Sequence, residues 1–128
     1  MRLVLDTNVL IAAFVARGRC ADIVAHCAEV HDLVTSDDLL SEFREKLTGK
    51  FRQTLRVAEE RIALLRSGME VVVPAPLPAP VCRDPDDDIV LGTAMAGGCS
   101  HIVTGDRDLL VLVQYQDIRI ISPTDFPL

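Results

Sequence analysis

Acidic side chains follow two short apolar runs of the chain, one near each end. Residues 3–5 are followed by Asp6, and residues 102–105 are followed by Asp106. Continuous Val, Ile and Leu runs are typical of buried parallel strands, and ligands of open α/β sheets bind beyond the carboxyl ends of such strands. The sequence therefore places both acids where a sheet of this kind builds a site.

Two further acidic groups lie between these ends, at Glu42 and in the segment 84–88, which holds four aspartates. Carboxylates about 4 Å apart repel one another by roughly 4 kcal/mol at an intermediate effective dielectric. A pocket of such groups is stable only when protons or divalent cations fill it. Because an all-oxygen ligand set favours hard cations, we predict a Mg²⁺ or Mn²⁺ site.

Each acid also has a simpler interpretation. Asp6 would cap the helix that follows it, and Glu42 could pair with Lys46 across one helical turn on a solvated face. The acids of 84–88 suit the dipole of a helix N-terminus, and Asp108 could be a cap alone. Each interpretation is compatible with a metal site, and the sequence leaves both open.

Composition limits the class of protein. With 128 residues and 49% hydrophobic content, we expect one domain over residues 1–128. The net charge of -6 argues against a general basic surface for nucleic acids, so any such binding must be local or assisted by metal. No stretch reaches transmembrane length, and the apolar residues 9–15 follow the polar Asp6 and Asn8, unlike a signal peptide.

The cysteines and histidines show no metal-ligand spacing. The cysteines are Cys20, Cys27, Cys82 and Cys99. We interpret them as buried free thiols, which fits a soluble protein of a reducing cytoplasm without membrane attachment. His26, His31 and His101 are scattered along the chain and are interpreted as structural residues.

Strand and helix patterns alternate, which predicts an α/β fold with a parallel sheet covered on both faces. Val30 should face the core from the second helix and Leu55 from the fourth. The prolines of 74–80 indicate a stiff surface connection rather than a partner-binding motif. Strands are expected at 2–5, 33–35, 70–73, 101–104 and 118–121, and helices at 8–16, 21–30, 37–47, 52–66, 87–96 and 108–113.

Four segments in this order resemble one known family. They are LVLDTN at 3–8, SDDLLSE at 36–42, CRDPDDDIVLGTA at 82–94 and IVTGDRD at 102–108. Together they are similar to the motifs of PIN-domain nucleases, in particular VapC-like toxins of toxin-antitoxin systems. The resemblance covers essentially the whole chain and implies a three-layer α/β/α sandwich with a mainly parallel sheet.

The resemblance also implies the site. The family's catalytic metal-binding acids fall on Asp6, Glu42, Asp87 and Asp106. Asn8 and Thr104 are expected to support the site with polar groups. Asp84 and Asp88 are alternative ligands, because the register of the third acid is ambiguous.

The implied activity is hydrolysis of RNA, in which Mg²⁺ or Mn²⁺ lowers the pKa of a water and offsets charge on the leaving oxygen. A cognate antitoxin and a homodimer are the partners that the resemblance implies. Cations at the rim would guide the RNA backbone. The candidates are Arg83, Arg107, Lys50, Arg52 and Arg56.

Two other classes remain open from the sequence. One is a non-catalytic PIN-fold interaction module that acts through a dimer or partner surface. The other is a phosphatase or a phosphorylated receiver, since these α/β folds also place acids at strand ends. The phosphatase pattern requires D-x-D after the first strand, whereas Asp6 is followed by Thr7 and Asn8.

Overall fold

The computed structural model describes residues Met1–Leu128 and has six strands and six helices. The strands are β1 (Arg2–Leu5), β2 (Asp32–Thr35), β3 (Glu70–Val71), β4 (His101–Val103), β5 (Gln114–Tyr115) and β6 (Ile118–Ile121). The helices are α1 (Thr7–Val15), α2 (Arg19–Val30), α3 (Asp37–Thr48), α4 (Leu55–Gly68), α5 (Pro85–Ala96) and α6 (Arg107–Leu110).

The strands form one sheet in the order β3-β2-β1-β4-β6-β5. All neighbours are parallel except β5 and β6, which are antiparallel. Along β1, Leu3 and Leu5 face one apolar core, and Val4 faces a second core. Helices α1 to α4 cover the first face, and α5 and α6 cover the other. This confirms the α/β/α sandwich, and none of its helices has the length and apolarity needed to span a bilayer.

Polar side chains fix where the helices begin. Thr54 accepts a hydrogen bond from the Val57 N–H at 3.2 Å, so α4 starts at Leu55 and not at Arg52 as predicted. Asp84 caps α5, and Pro85 occupies its first turn, where a missing N–H costs nothing. The predicted start at Asp87 was therefore too late, because the cap lies three residues earlier.

Other expectations were wrong at the edges of elements. The strand expected over 70–73 ends at Val71, and the helix expected over 108–113 ends at Leu110. Val113 instead has φ 61° and leads into β5. Strand β5 pairs with β6 and forms the edge of the sheet. A β-branched residue with positive φ is an outlier that no propensity predicts. Val30 and Leu55 are also exposed rather than packed inward.

The proline-rich segment 74–80 has no regular secondary structure and is held against α5. The Ala75 N–H donates to the Gly92 carbonyl at 2.9 Å. A Cβ atom added to Gly92 would lie 2.4 Å from the Ala75 carbonyl oxygen. The helix and the segment can therefore approach this closely only because residue 92 is glycine.

We predict that Gly92→Ala destabilises the protein by about 1–3 kcal/mol, because the segment must move to relieve the clash. Gly68→Ala is the matched control, since nothing lies within 4 Å of a Cβ at the end of α4. It should be neutral or slightly stabilising. Urea unfolding of the two variants checks this, and equal stability would contradict the role of the close contact.

Candidate metal centre

Two acids lie at the point where the strand order reverses. From β1 the chain builds outward to β2 and β3, then returns to β4 on the other side of β1. Asp6 directly follows β1, and its N–H donates to the Val103 carbonyl at 2.9 Å. Asp106 follows β4 after a short turn. Ligands bind at such a switch point in open α/β sheets.

Thr104 connects these two acids. Its Oγ1 donates to Asp6 Oδ2 at 2.7 Å and accepts the Asp106 N–H at 3.0 Å. Asp6 Oδ1 also accepts the Thr7 N–H at 2.7 Å. Burial raises the pKa of Asp6 above its usual value, although the bonds from Thr104 and Thr7 oppose the shift. Thr104 thus fixes both acids by one buried hydroxyl.

Asp87 brings a third carboxylate from the first turn of α5. Asp87, Asp106 and Asp108 each offer an oxygen within 4.8 Å of the others. Burial of Asp87, together with the neighbouring Asp106 carboxylate, raises the pKa of Asp87 to about 7. Desolvation and the repulsion of a like charge both favour the protonated form of such a carboxyl.

Glu42, on α3, lies near Asp6 and is not part of the close group of Asp87, Asp106 and Asp108. Its Oε1 is 2.8 Å from Lys46 Nζ, and its Oε2 is 3.5 Å from Thr7 Oγ1. Lys46 also donates to Asn8 Oδ1 at 3.1 Å. The helical pair with Lys46, which the sequence left open, therefore forms while Glu42 also points toward the Asp6 end of α1. The Asn8 oxygen is partnered by Lys46.

The alternative third acids have partners of their own. Asp84 Oδ1 accepts the Asp86 N–H at 2.9 Å and so caps α5. Asp88 accepts the N–H groups of Val81 and Cys82 at 3.1 and 2.8 Å. Burial opposes ionisation of Asp88, but these N–H bonds outweigh it and hold its pKa below the usual value. Within 84–88, Asp87 is the acid that joins the cluster with Asp106.

Asp108, for which the sequence left a role as helix cap open, does not cap α6. The structure caps α6 with Asp106, whose Oδ1 accepts the Asp108 N–H at 2.9 Å. The Asp108 carboxylate is free to join the cluster and also contacts Arg83 at 2.9 Å. The signal was present in the sequence as a second acid two residues after a strand-end acid.

The surroundings of the site are mostly acidic. Of the predicted RNA-guiding cations, Arg83 contacts the cluster, whereas Lys50 lies over the Phe51 ring and Arg56 pairs with Glu60. An open cleft of about 430 Å³ borders Glu42. It is lined by Asp37, Asp38, Ser41, Glu42, Glu45, Asp86 and Ile89. A phosphate could approach this cleft only with cations present.

The residues present fit a hard divalent cation. The cluster offers carboxylate oxygens, the ligands that Mg²⁺ and Mn²⁺ prefer. Burial and the neighbouring Asp106 carboxylate both raise the pKa of Asp87, and a bound cation would offset the repulsion from Asp106. The histidines lie elsewhere: His26 and His31 pack edge to face, and the Met1 amino group is 3.0 Å from His31 Nδ1.

A family model described as PIN domain matches residues 2–108. The chain belongs to the PIN domain family. PIN domains of the VapC-like group are nucleases that generally use divalent metals, so family membership rules out the phosphatase and receiver hypotheses. No curated protein matches the chain by sequence.

The chain is similar in fold to solved structures that include the following three. VapBC-1 of nontypeable Haemophilus influenzae has a TM-score of 0.67 at 18% identity, over 98% of this chain and 100% of that chain. VapBC2 of Rickettsia felis, bound to a promoter DNA fragment, has a TM-score of 0.66 at 12% identity, over 95% and 98%. FitAcB of Neisseria gonorrhoeae has a TM-score of 0.59 at 18% identity, over 97% and 99%.

The raised pKa of Asp87 predicts how stability depends on pH without metal. A carboxyl whose pKa is raised on folding stabilises the folded state at low pH, and this contribution is lost as the pH rises from about 4 to about 7. Asp87→Asn should therefore be more stable than the wild type by about 1–2 kcal/mol at pH 8, and this advantage should shrink at pH 5.

Urea unfolding in EDTA at the two pH values measures this. The exposed neighbour Asp86 provides the control, because Asp86→Asn should show no such pH-dependent gain. A wild type and an Asp87→Asn variant with parallel pH profiles would show that Asp87 is ionised normally.

Thr104→Val should destabilise the protein by about 1–3 kcal/mol, because it leaves a buried Asp6 oxygen and the Asp106 N–H without their shared partner. Valine keeps the shape of threonine, so packing is preserved. Denaturant unfolding gives the free energy. A change below about 0.5 kcal/mol would mean that Thr104 does not hold the two acids.

Proposed function

We propose that this PIN domain protein is a metal-dependent endoribonuclease. In this proposal Asp6, Glu42, Asp87 and Asp106 hold Mg²⁺ or Mn²⁺, with Asp108 as an additional acid. The observation that carries the proposal is the crowding of Asp87 against Asp106 beside a buried Asp6, at the switch point of the sheet. Crowded carboxylates lower the stability of the fold. A bound cation that offsets their repulsion would explain why the fold keeps them together.

The chain's own residues have distinct parts in the proposed reaction. Thr104 orients Asp6 and Asp106, and Asp87 would lose its proton to solvent if a cation were bound there. Arg83, beside Asp108, is placed to contact an RNA phosphate at the rim. A bound divalent ion would supply a water of lowered pKa and offset charge on the leaving oxygen.

We also propose that the protein is the toxin of a type II toxin-antitoxin system, with a cognate antitoxin as its partner. The similarity to structures named VapBC supports this proposal. An apolar cleft of about 310 Å³ beside α2 and α4 supports a protein partner, and Leu64 at its rim is 59% exposed. Its lining includes Phe14, Val24, Ala25, Ala28, Leu33, Leu65 and Met69.

A homodimer and a cytoplasmic location complete the proposal. The exposed apolar side chains of Val111 and Val113, at 74% and 65%, support contact with another protein surface. All four cysteines are free, although Cys20 and Cys82 are only partly buried. Free thiols fit a reducing compartment. Light scattering of the purified chain measures the oligomeric state.

The main alternative is an interaction module of the same fold that does not cut RNA. It would keep the partner surfaces and use the acids only for stability. The two hypotheses differ in what removal of one buried acid does: a nuclease loses cleavage, whereas an interaction module has no cleavage to lose.

The proposed function predicts that the purified protein cuts mixed labelled RNAs with Mn²⁺ or Mg²⁺ and not with EDTA. Asp6→Asn should lower the rate by about a hundredfold or more, because it removes a ligand charge at the centre of the site. Asp32→Asn, an exposed acid at the opposite end of the sheet, should cut as the wild type does.

Both variants should remain folded by circular dichroism. Absence of metal-dependent cleavage across diverse RNAs, with a folded protein that binds Mn²⁺, would favour the interaction module. Cleavage that persists in Asp6→Asn would contradict the assignment of the site. In a bacterial host, growth arrest by the wild type but not by Asp6→Asn would support the toxin assignment.

A further inference from the structure

One cation lies on the Asp6 side of the acidic site, where it is paired with Glu42. Lys46 Nζ lies 2.8 Å from Glu42 Oε1 and 3.1 Å from Asn8 Oδ1. The side chains of Lys46 and Glu42 are 36% and 27% exposed, so the pair is more sheltered than an ordinary surface ion pair. Screening by water is correspondingly weaker than for a fully solvated pair.

The contact with Asn8 makes this more than a pair along one helix. Lys46 and Glu42 lie on α3, and Asn8 lies on α1, two residues after Asp6. The ammonium is thereby held on the Asp6 side of α3. Burial raises the pKa of Asp6, and the nearby Lys46 charge acts against that shift, so the field of Lys46 reaches the buried acid.

We propose that Lys46 is a tethered counter-ion that competes with the divalent cation for Glu42. The inference rests on the proposed function, since it takes Glu42 to be a metal ligand. The Glu42 carboxylate cannot give its full charge to an ion while its Oε1 is bonded to Lys46. Loading of the site must therefore displace Lys46 or leave Glu42 only partly engaged.

The competition has a direct consequence for metal affinity. A charge-assisted hydrogen bond between Lys46 and Glu42 that has to be given up on loading weakens metal binding by about tenfold. Lys46 therefore raises the concentration of Mg²⁺ or Mn²⁺ at which the site fills. Without metal, the same contact keeps Glu42 paired and limits the repulsion between Glu42 and Asp6.

Lys46→Met tests this, because it removes the charge and keeps an unbranched side chain. Mn²⁺ affinity of the whole protein, measured by calorimetry and by electron paramagnetic resonance at low salt, should rise by about tenfold. Lys46→Arg keeps the charge and should bind Mn²⁺ within about threefold of the wild type. Lys46→Gln serves the same purpose if the methionine variant does not fold.

Arg44→Met is the matched control for net charge. Arg44 lies on the same helix and contacts Glu59 instead of the cluster. Its loss should leave Mn²⁺ affinity nearly unchanged. Equal gains in Arg44→Met and Lys46→Met would overturn the inference, because the effect would then come from overall charge alone.

A double-mutant cycle with Glu42→Gln tests whether the competition is for Glu42 itself. In that background the gain from Lys46→Met should fall to less than about threefold. A gain that persists undiminished would overturn the inference. So would an unchanged or weaker Mn²⁺ affinity in Lys46→Met alone.

Failure of this inference differs from failure of the proposed function. A wild type that binds Mn²⁺ and cuts RNA, with no tighter binding in Lys46→Met, overturns only the role of Lys46. A folded wild type that binds no Mn²⁺ and cuts no RNA overturns the metal site and the competition together.

Discussion

The structure depends on one constraint, the repulsion among carboxylates that the backbone holds close together. Asp6 and Asp106 follow neighbouring parallel strands, so the sheet fixes their spacing before any side chain turns. Asp87 enters from the first turn of α5, which packs against the same strands. The cluster cannot relax by spreading apart, so its charge has to be balanced where it stands.

Different groups offset the negative charge of the different carboxylates. Burial and repulsion favour a proton on Asp87, and the Thr104 hydroxyl stabilises the charge of Asp6 by a hydrogen bond. Two cations also contribute: Lys46 pairs with Glu42, and Arg83 pairs with Asp108. A divalent ion would replace the proton at the centre, and the chain, with a net charge of -6, would then become locally able to accept a phosphate.

Features of the site that depend on local sequence could be predicted, whereas contacts between segments distant in the chain could not. Asp6 and Asp106 were predictable, because an apolar run followed by an acid already defines a strand and its carboxyl end. The contact of Lys46 with Asn8 was not predictable, since it joins two helices whose packing depends on the whole core. Likewise, Val113 adopts its positive φ only where the chain must turn from α6 into β5.

Helix α5 carries two consecutive aspartates with opposite tasks. Asp87 faces the carboxylate cluster, whereas Asp88 holds the backbone that enters the helix. A slip of one residue would rotate the helix by about 100° and exchange these side chains, which are chemically identical. Pro85 fixes where the helix starts, and Gly92 is the only position there whose missing Cβ admits the Ala75 carbonyl. Two residues without charge therefore decide which aspartate lies beside Asp106 and Asp108.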